Sequence, residues 1–100
     1  MKIETIRQPG SFMLEGRMET QEALDLRKEV IEELEEADGH IGLDVSRLEC
    51  IDSAGLGVFV SLKNRAEKAG GSFVIDKPTG EVLQLLEMTR LTHVFQINYA

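Results

Sequence analysis

The amino-acid sequence predicts an α/β domain in which helices pack on a mixed β-sheet. In the middle of the chain, stretches with the two-residue period of a strand alternate with stretches of helical period. At the start, the turn-forming pair Pro9-Gly10 separates two short runs with strand character. Strands joined through a helix pair in parallel, while a hairpin is antiparallel, so both kinds of pairing are expected in one sheet.

Length and composition favour a single domain that covers residues 1–100. With 42% hydrophobic and 29% charged residues, the chain has the composition of a globular protein. No Pro, Gly or Ser-rich stretch is long enough to serve as a linker. One hydrophobic core, and therefore one main functional site, is expected at this length.

The first part of the chain predicts a hairpin followed by a helix. Its strands are expected at residues 2–7 and 11–15, and Thr20 is the expected N-cap of the helix. Gly39 is expected to stop that helix. The residues that recur at helical spacing and should face the core are Ala23, Leu26, Val30, Leu34 and Ala37.

The middle of the chain predicts a strand, a loop and a second helix. Apolar residues alternate with Gly42 and Asp44 over residues 41–45, which is typical of a strand with one face in the core. Residues 46–51 are expected to form a short loop, and a helix should cover residues 53–69. The positions of this helix expected to be buried are Leu56, Phe59, Val60 and Ala66.

The last part predicts a strand at residues 73–75, a third helix capped by Thr79, and a short strand or edge segment that contains Phe95 and Ile97. The apolar residues of the third helix are Val82, Leu83, Leu85, Leu86 and Met88. Three methionines, Met13, Met18 and Met88, are expected in the core or partly in it.

Charge and composition exclude several classes of function. The 11 basic and 18 acidic residues give a net charge of −7, which disfavours direct binding to nucleic acid. A single cysteine, Cys50, and two histidines offer no metal-ligand spacing, and no cofactor is expected. The longest apolar stretch, residues 54–60, is too short to insert into a membrane, so a cytoplasmic location is expected.

The most informative segment is Cys-Ile-Asp-Ser-Ala-Gly-Leu-Gly, from Cys50 to Gly57, where a strand passes into a helix. The free backbone N–H groups and partial positive charge at a helix N-terminus stabilise an oxygen or a phosphate. Gly55 and Gly57 leave the first turn bare, so another protein could approach it closely. The simpler interpretation is that Ser53 is an ordinary N-cap and the glycines only allow packing.

An enzymatic interpretation has little support. A strand-turn-helix also presents the nucleophile of serine hydrolases, but the Gly-x-Ser-x-Gly pattern is absent around Ser53. His40 and His93 show no pairing with an acid that would complete a triad. We therefore expect no catalytic residue, and loss of ester turnover in Ser53→Ala would be the sign of a hydrolase.

Several stretches together resemble the STAS domain of anti-sigma factor antagonists. The central one is Ile-Asp-Ser-Ala-Gly-Leu-Gly-Val, residues 51–58. It is preceded by Asp-Val-Ser-Arg-Leu at residues 44–48 and followed by Val-Leu-Gln-Leu-Leu at residues 82–86. Met-Thr-Arg-Leu at residues 88–91 and Val-Phe-Gln-Ile at residues 94–97 extend the likeness over nearly the whole chain.

The resemblance implies a phosphorylation switch. It places the phosphoacceptor on Ser53 and partner contacts on the motif around it, which comprises Asp52, Ser53, Ala54, Gly55, Leu56 and Gly57. The implied partner is an anti-sigma factor that is also a serine kinase of the histidine-kinase-like ATPase type. A PP2C-type phosphatase would reverse the modification. The unphosphorylated chain would hold the anti-sigma factor and leave the sigma factor free to direct transcription.

The sequence departs from the family pattern at three positions. Ala54 stands where Ser or Thr often follows the acceptor, so Ser53 is the single hydroxyl of the motif. Arg90 stands where glycine is common, and a left-handed backbone there would cost about 1 to 2 kcal/mol. Glu19, at the entry to the first helix, stands where Asp is frequent, which affects only details of capping or of partner contact.

Two further expectations concern partners. Four apolar residues of the second helix cannot all face one core, so one or two should be exposed near Ser53 and contact the partner; they are Leu56, Val58, Phe59 and Leu62. The alternative function within the same fold is a STAS scaffold subunit of a lipid-transport or other signalling complex, without sigma-factor control.

Overall fold

The computed structural model describes all residues from Met1 to Ala100 and confirms the mixed α/β architecture. In chain order the elements are β1 (Lys2–Thr5), β2 (Ser11–Met18), α1 (Thr20–Glu33), β3 (His40–Ile51), α2 (Ser53–Lys68), β4 (Ser72–Asp76), α3 (Gly80–Met88), a 3-10 turn (Leu91–His93) and β5 (Gln96–Asn98). None of the three helices has the length and apolar character needed to cross a bilayer.

The sheet has the strand order β1-β2-β3-β4-β5. The β1–β2 hairpin is antiparallel, as predicted, and the other three pairings are parallel. From β2 onward each crossover advances one strand in the same direction, so right-handed crossovers bring the connecting helices to one face of the sheet. Consistent with this, 21 buried apolar residues form one core, contributed by strands β2 to β4, all three helices and Phe95.

The opposite face of the sheet is polar. Ion pairs on it join Lys2 to Glu4 over 3.0 Å and Arg47 to Glu15 over 3.7 Å. Burial acts to raise the pKa of Asp44, but hydrogen bonds from the hydroxyl and N–H of Ser46, with the nearby charge of Lys77, hold this pKa below its ordinary value. Because only one face is apolar, the strands show the alternation that the sequence analysis used.

Strand β3 is longer than predicted, and the expected loop at residues 46–51 is wrong. Two register shifts in the pairing of β2 with β3 give β3 two extra residues. Each extra residue changes the spacing of inward side chains from two to three, so Val45, Leu48 and Ile51 all reach the core. Two β-bulges therefore cause the loss of the two-residue period after Val45, and the strand continues through them.

The first helix differs from prediction at both ends. Glu19 occupies the N-cap position, its N–H donates to the Glu22 carboxylate over 3.1 Å, and Thr20 is already helical. Regular helix ends at Glu33, before Gly39, which follows a turn and has φ +78°. After Glu33 the helix tightens, because the Leu34 N–H donates to the Ile31 carbonyl three residues earlier over 3.3 Å. The Glu33 carboxylate accepts hydrogen bonds from Thr5 and Gly10 of the hairpin region.

The predicted methionine positions are confirmed in part. Met18 is fully buried and Met13 is half-buried. Met88 is 73% exposed, so its expected place in the core is wrong. The inner face of α3 is already filled by Val82 and Leu86, and Met88 lies away from it at the last helical position. Arg90, two residues later, adopts the left-handed backbone considered above, with φ 60°.

Candidate functional site

The candidate site lies at the edge of the sheet where the parallel strands end. Met18, the last residue of β2, pairs with Ile51, the last residue of β3. Helix α2 begins two residues after this pair, at Ser53. In open α/β sheets the carboxyl edge of the strands is where recognition sites usually form, because loops and helix N-termini converge there.

Asp52, and not Ser53, caps helix α2. The Asp52 backbone is extended, with φ −102°, and its carboxylate accepts a hydrogen bond from the Gly55 N–H over 3.0 Å. The Asp52 carbonyl accepts from the Leu56 N–H over 3.1 Å and so closes the first turn. The simple interpretation of Ser53 as the N-cap is therefore wrong, because the preceding carboxylate already occupies that role.

Ser53 is the first helical residue and is exposed to solvent. Its hydroxyl takes part in no hydrogen bond within the chain, whereas the side chains of Asp44, Ser46 and Asp52 all do. The backbone N–H groups at this end of α2 carry partial positive charge. The hydroxyl is thus accessible and has no structural partner to lose if it is modified.

The two glycines of the motif have different surroundings. A Cβ on Gly55 would lie 2.5 Å from Ile51 Cγ1 and 3.0 Å from Met18 Sδ, so this glycine is required by packing against the strand ends. A Cβ on Gly57 would meet nothing within 4 Å, and Gly57 is exposed. The bare surface expected from both glycines is therefore provided by Gly57, while Gly55 faces the core.

The apolar residues of α2 do not supply an exposed contact. Leu56, Val58, Phe59 and Leu62 are all buried, which contradicts the expectation that one or two would be exposed. At 100° per residue they span about 160° of the helix. Contacts with α1 on one side and with β3 and β4 beneath cover that wide arc. Val60, expected in the core, is half-buried on its margin.

The exposed arc of α2 forms a shallow groove that the sequence analysis missed. Its lining includes Gly57, Val60, Ser61, Asn64 and Lys68. Ser53, Gly57 and Ser61 follow one another at four-residue spacing, so they lie on one helix face. That spacing of small residues was readable in the sequence.

The remaining motif residues are distributed between surface and core. Asp52 and Ala54 are half-buried, and Leu56 is buried at 8% exposure.

His40 lies far from Ser53. It bonds to the Ser72 hydroxyl over 2.9 Å at the beginning of β3, whereas Ser53 follows the far end of that 12-residue strand. His40 therefore cannot serve Ser53 as a base.

Comparisons with known proteins point to one family. The family model described as Mlab, STAS domain, matches residues 3–97. No curated protein matches the sequence.

Solved structures show the same fold. A Thermotoga maritima protein, TM1081, provisionally assigned as an anti-sigma factor antagonist, is 26% identical in its crystal structure, with a TM-score of 0.79 over 97% of this chain and 84% of that one. The NMR structure of TM1081 gives 28% identity and a TM-score of 0.74, over 95% of this chain and 77% of that one. The anti-sigma factor antagonist SpoIIAA in its unphosphorylated form is 16% identical, with a TM-score of 0.75 over 99% of this chain and 87% of that one.

Proposed function

The chain belongs to the STAS family, and from this premise we propose that it is an anti-sigma factor antagonist controlled at Ser53. Unphosphorylated, it binds an anti-sigma factor that is also a serine kinase of the histidine-kinase-like ATPase type, and the sigma factor is released. Phosphorylation of Ser53 by that kinase ends the interaction, and a PP2C-type phosphatase restores it. The family match and the relatives described as anti-sigma factor antagonists support this proposal.

The observation that carries the proposal is the division of roles between Asp52 and Ser53. Asp52 caps the helix, and the exposed Ser53 hydroxyl makes no intramolecular hydrogen bond. A serine that caps a helix accepts a hydrogen bond from a backbone N–H of the first turn, and Ser53, one residue past the N-cap, accepts none. The Ser53 hydroxyl is instead available to an external group.

A phosphate on Ser53 would act on the interface more than on the fold. It adds about −1.5 to −2 charges at pH 7. The N-terminus of α2 attracts this charge and the Asp52 carboxylate repels it, so the two effects oppose each other within the chain. At an interface the unmatched charge must be desolvated. A penalty of about 3 to 4 kcal/mol would weaken binding roughly 10² to 10³-fold.

The exposure of each motif residue indicates which of them can contact the partner. Ser53 and Gly57 are exposed and present the most accessible part of the motif, with Asp52 and Ala54 beside them. Gly55 and Leu56 are buried and do not reach this surface. Their packing against the strand ends fixes the orientation of the first turn of α2. The open space above Gly57 admits close approach by a partner.

The test combines phosphosite mapping of the protein from cells with partner capture. Bait variants are Ser53→Ala, Ser53→Asp and, as a charge control, Asn64→Asp, which adds a carboxylate to the exposed face of α2 three turns away. We expect a phosphate on Ser53 and an ATPase-type kinase that is retained by Ser53→Ala and Asn64→Asp but lost by Ser53→Asp.

The alternative function gives a different result in the same experiment. A STAS scaffold subunit of a lipid-transport complex would carry no phosphate on Ser53. It would also recover membrane-transport subunits equally well with every bait. That outcome would replace the antagonist proposal.

A further inference from the structure

A second surface lies at the opposite end of the molecule from Ser53, where α1 and α2 both terminate. Helix α2 has 16 residues, which separates its two ends by about 24 Å. A groove between the helix ends is lined by Ile31, Leu34, Glu35, Asp38, Gly39 and Ala69. We call it the helix-end groove.

The floor of the helix-end groove consists of small residues in close contact. A Cβ on Gly39 would lie 3.0 Å from the Ala69 Cβ, so only glycine lets the two helix ends meet here. Ile31 and Leu34 are half-buried and form an apolar wall. Glu35 and Asp38 are exposed at the rim. The groove therefore offers an apolar depression bordered by negative charge.

The negative charge near the helix-end groove is opposite in sign to the charge that the C-terminus of α1 favours. Residues 29–38 contain six acidic residues and no lysine or arginine. The C-terminus of a helix is its negative end, where cations are favoured, and the last turn of α1 has no basic residue. One turn before the groove, partial desolvation and then the charges of Glu32 and Glu33 raise the pKa of the exposed Glu29. Two of these six carboxylates, those of Glu35 and Asp38, border the helix-end groove. None of the six forms an ion pair within the chain, although the last turn of α2 carries Arg65 and Lys68 at the same end of the molecule.

We propose that the helix-end groove binds a basic amphipathic segment of a protein partner. An apolar side chain of that segment packs against Ile31 and Leu34 over the floor at Ala69, and its lysines or arginines face Glu35 and Asp38. A second copy of this chain is a poorer occupant in a two-fold dimer, because such a dimer would place the same acidic rim against itself. The inference goes beyond the proposed switch and does not depend on it.

The test uses a synthetic amphipathic helical peptide made of leucine and lysine, and a scrambled peptide of the same composition. Each is titrated into the full-length chain at about 0.15 M salt and followed by backbone amide chemical shifts. We expect the amphipathic peptide to shift amides at residues 31–39 and 68–70, and the scrambled peptide to bind more weakly. Ser53→Asp should leave this binding unchanged.

Two variants and a control test the contributions of charge and of the apolar wall. The double variant Glu35→Gln, Asp38→Asn removes the rim charge, and asparagine tolerates the left-handed backbone of Asp38, at φ 52°. It should weaken binding about three- to tenfold. Leu34→Ser should also weaken binding, whereas Leu24→Ser, at a 52% exposed position of α1 outside the groove, should not.

Three results would overturn the proposal. One is equal binding of both peptides, with shifts spread along the acidic face of α1. Another is binding that the rim double variant leaves unchanged. The third is a concentration-dependent shift of the groove amides without peptide, which would identify a second copy of the chain as the occupant.

Discussion

The Asp52 carboxylate accepts a hydrogen bond from the Gly55 N–H over 3.0 Å, and this contact closes the N-terminus of the helix that carries Ser53. Helix stability at this point thus depends on a residue next to the proposed phosphoacceptor and not on the acceptor itself. A modification of Ser53 can then change recognition while the cap remains in place.

This division of roles predicts different stabilities for two neighbouring alanine variants. Asp52→Ala removes the cap and should lower the free energy of unfolding by about 1 kcal/mol. Ser53→Ala removes a hydroxyl without a partner and should change it by less than about 0.5 kcal/mol. Urea unfolding of both variants measures the difference. Asp52→Asn keeps an acceptor oxygen and should resemble the unsubstituted chain; an equal loss in both alanine variants would show that Ser53 shares the capping role.

The two motif glycines predict alanine substitutions of opposite sign. Gly55→Ala forces a methyl group to within 2.5 Å of Ile51 Cγ1 and should destabilise the fold by about 1 to 3 kcal/mol. Gly57→Ala meets open space and gains helix propensity, so it should stabilise by about 0.5 to 1 kcal/mol. Thermal and urea unfolding would check both signs. A destabilised Gly57→Ala would mean that this glycine has a structural role inside the chain.

Arg90 predicts a stabilising substitution. Its left-handed backbone, at φ 60°, costs a residue with a Cβ roughly 1 to 2 kcal/mol relative to glycine. Arg90→Gly should therefore raise the free energy of unfolding by about 1 kcal/mol. The gain is smaller than the full strain energy because glycine makes the unfolded chain more flexible. Arg90→Ala is the matched control, since it removes the charge but keeps the Cβ. A gain in the alanine variant equal to that in the glycine variant would assign the effect to charge.

Glu29 predicts a pH-dependent effect on stability. Glu29 is exposed, but partial desolvation by the surrounding chain, followed by the charges of Glu32, Glu33 and Asp25, raises its pKa in the folded chain. A raised carboxyl pKa means that the ionised form destabilises the fold, so the penalty is present at neutral pH. It is relieved as the pH falls through the folded pKa, and it is absent below about pH 4.3, the ordinary pKa of glutamate.

The variant that tests this relationship is Glu29→Gln. It should be more stable than the unsubstituted chain at pH 7, and the two proteins should converge below about pH 4.3. Melting temperatures measured across this pH range would follow the convergence. Glu87→Gln, on the exposed surface of α3, serves as the control for general charge removal. A constant gain at every pH would attribute the effect to packing of the amide and not to ionisation.

Local patterns predicted the order of the elements and the place of the motif. The Pro9-Gly10 turn, the helical spacing of Ala23, Leu26 and Val30, and the alternation through Val45 are each confirmed by the structure. Those features depend on residues within a few positions of one another. The position of Ser53 at the beginning of α2 was predicted for the same reason.

The sequence by itself determined an α/β chain with a serine at the start of its second helix; the tertiary structure decided how that helix start is built and what it exposes. Bulges in β3 keep Leu48 and Ile51 in the core, which no local period revealed. Packing against Ile51 distinguishes Gly55 from Gly57. Contacts with neighbouring elements bury all four of Leu56, Val58, Phe59 and Leu62, of which one or two had been expected at the surface. Each of these outcomes depends on residues brought together from separate strands and helices, and short-range patterns carry no information about such contacts.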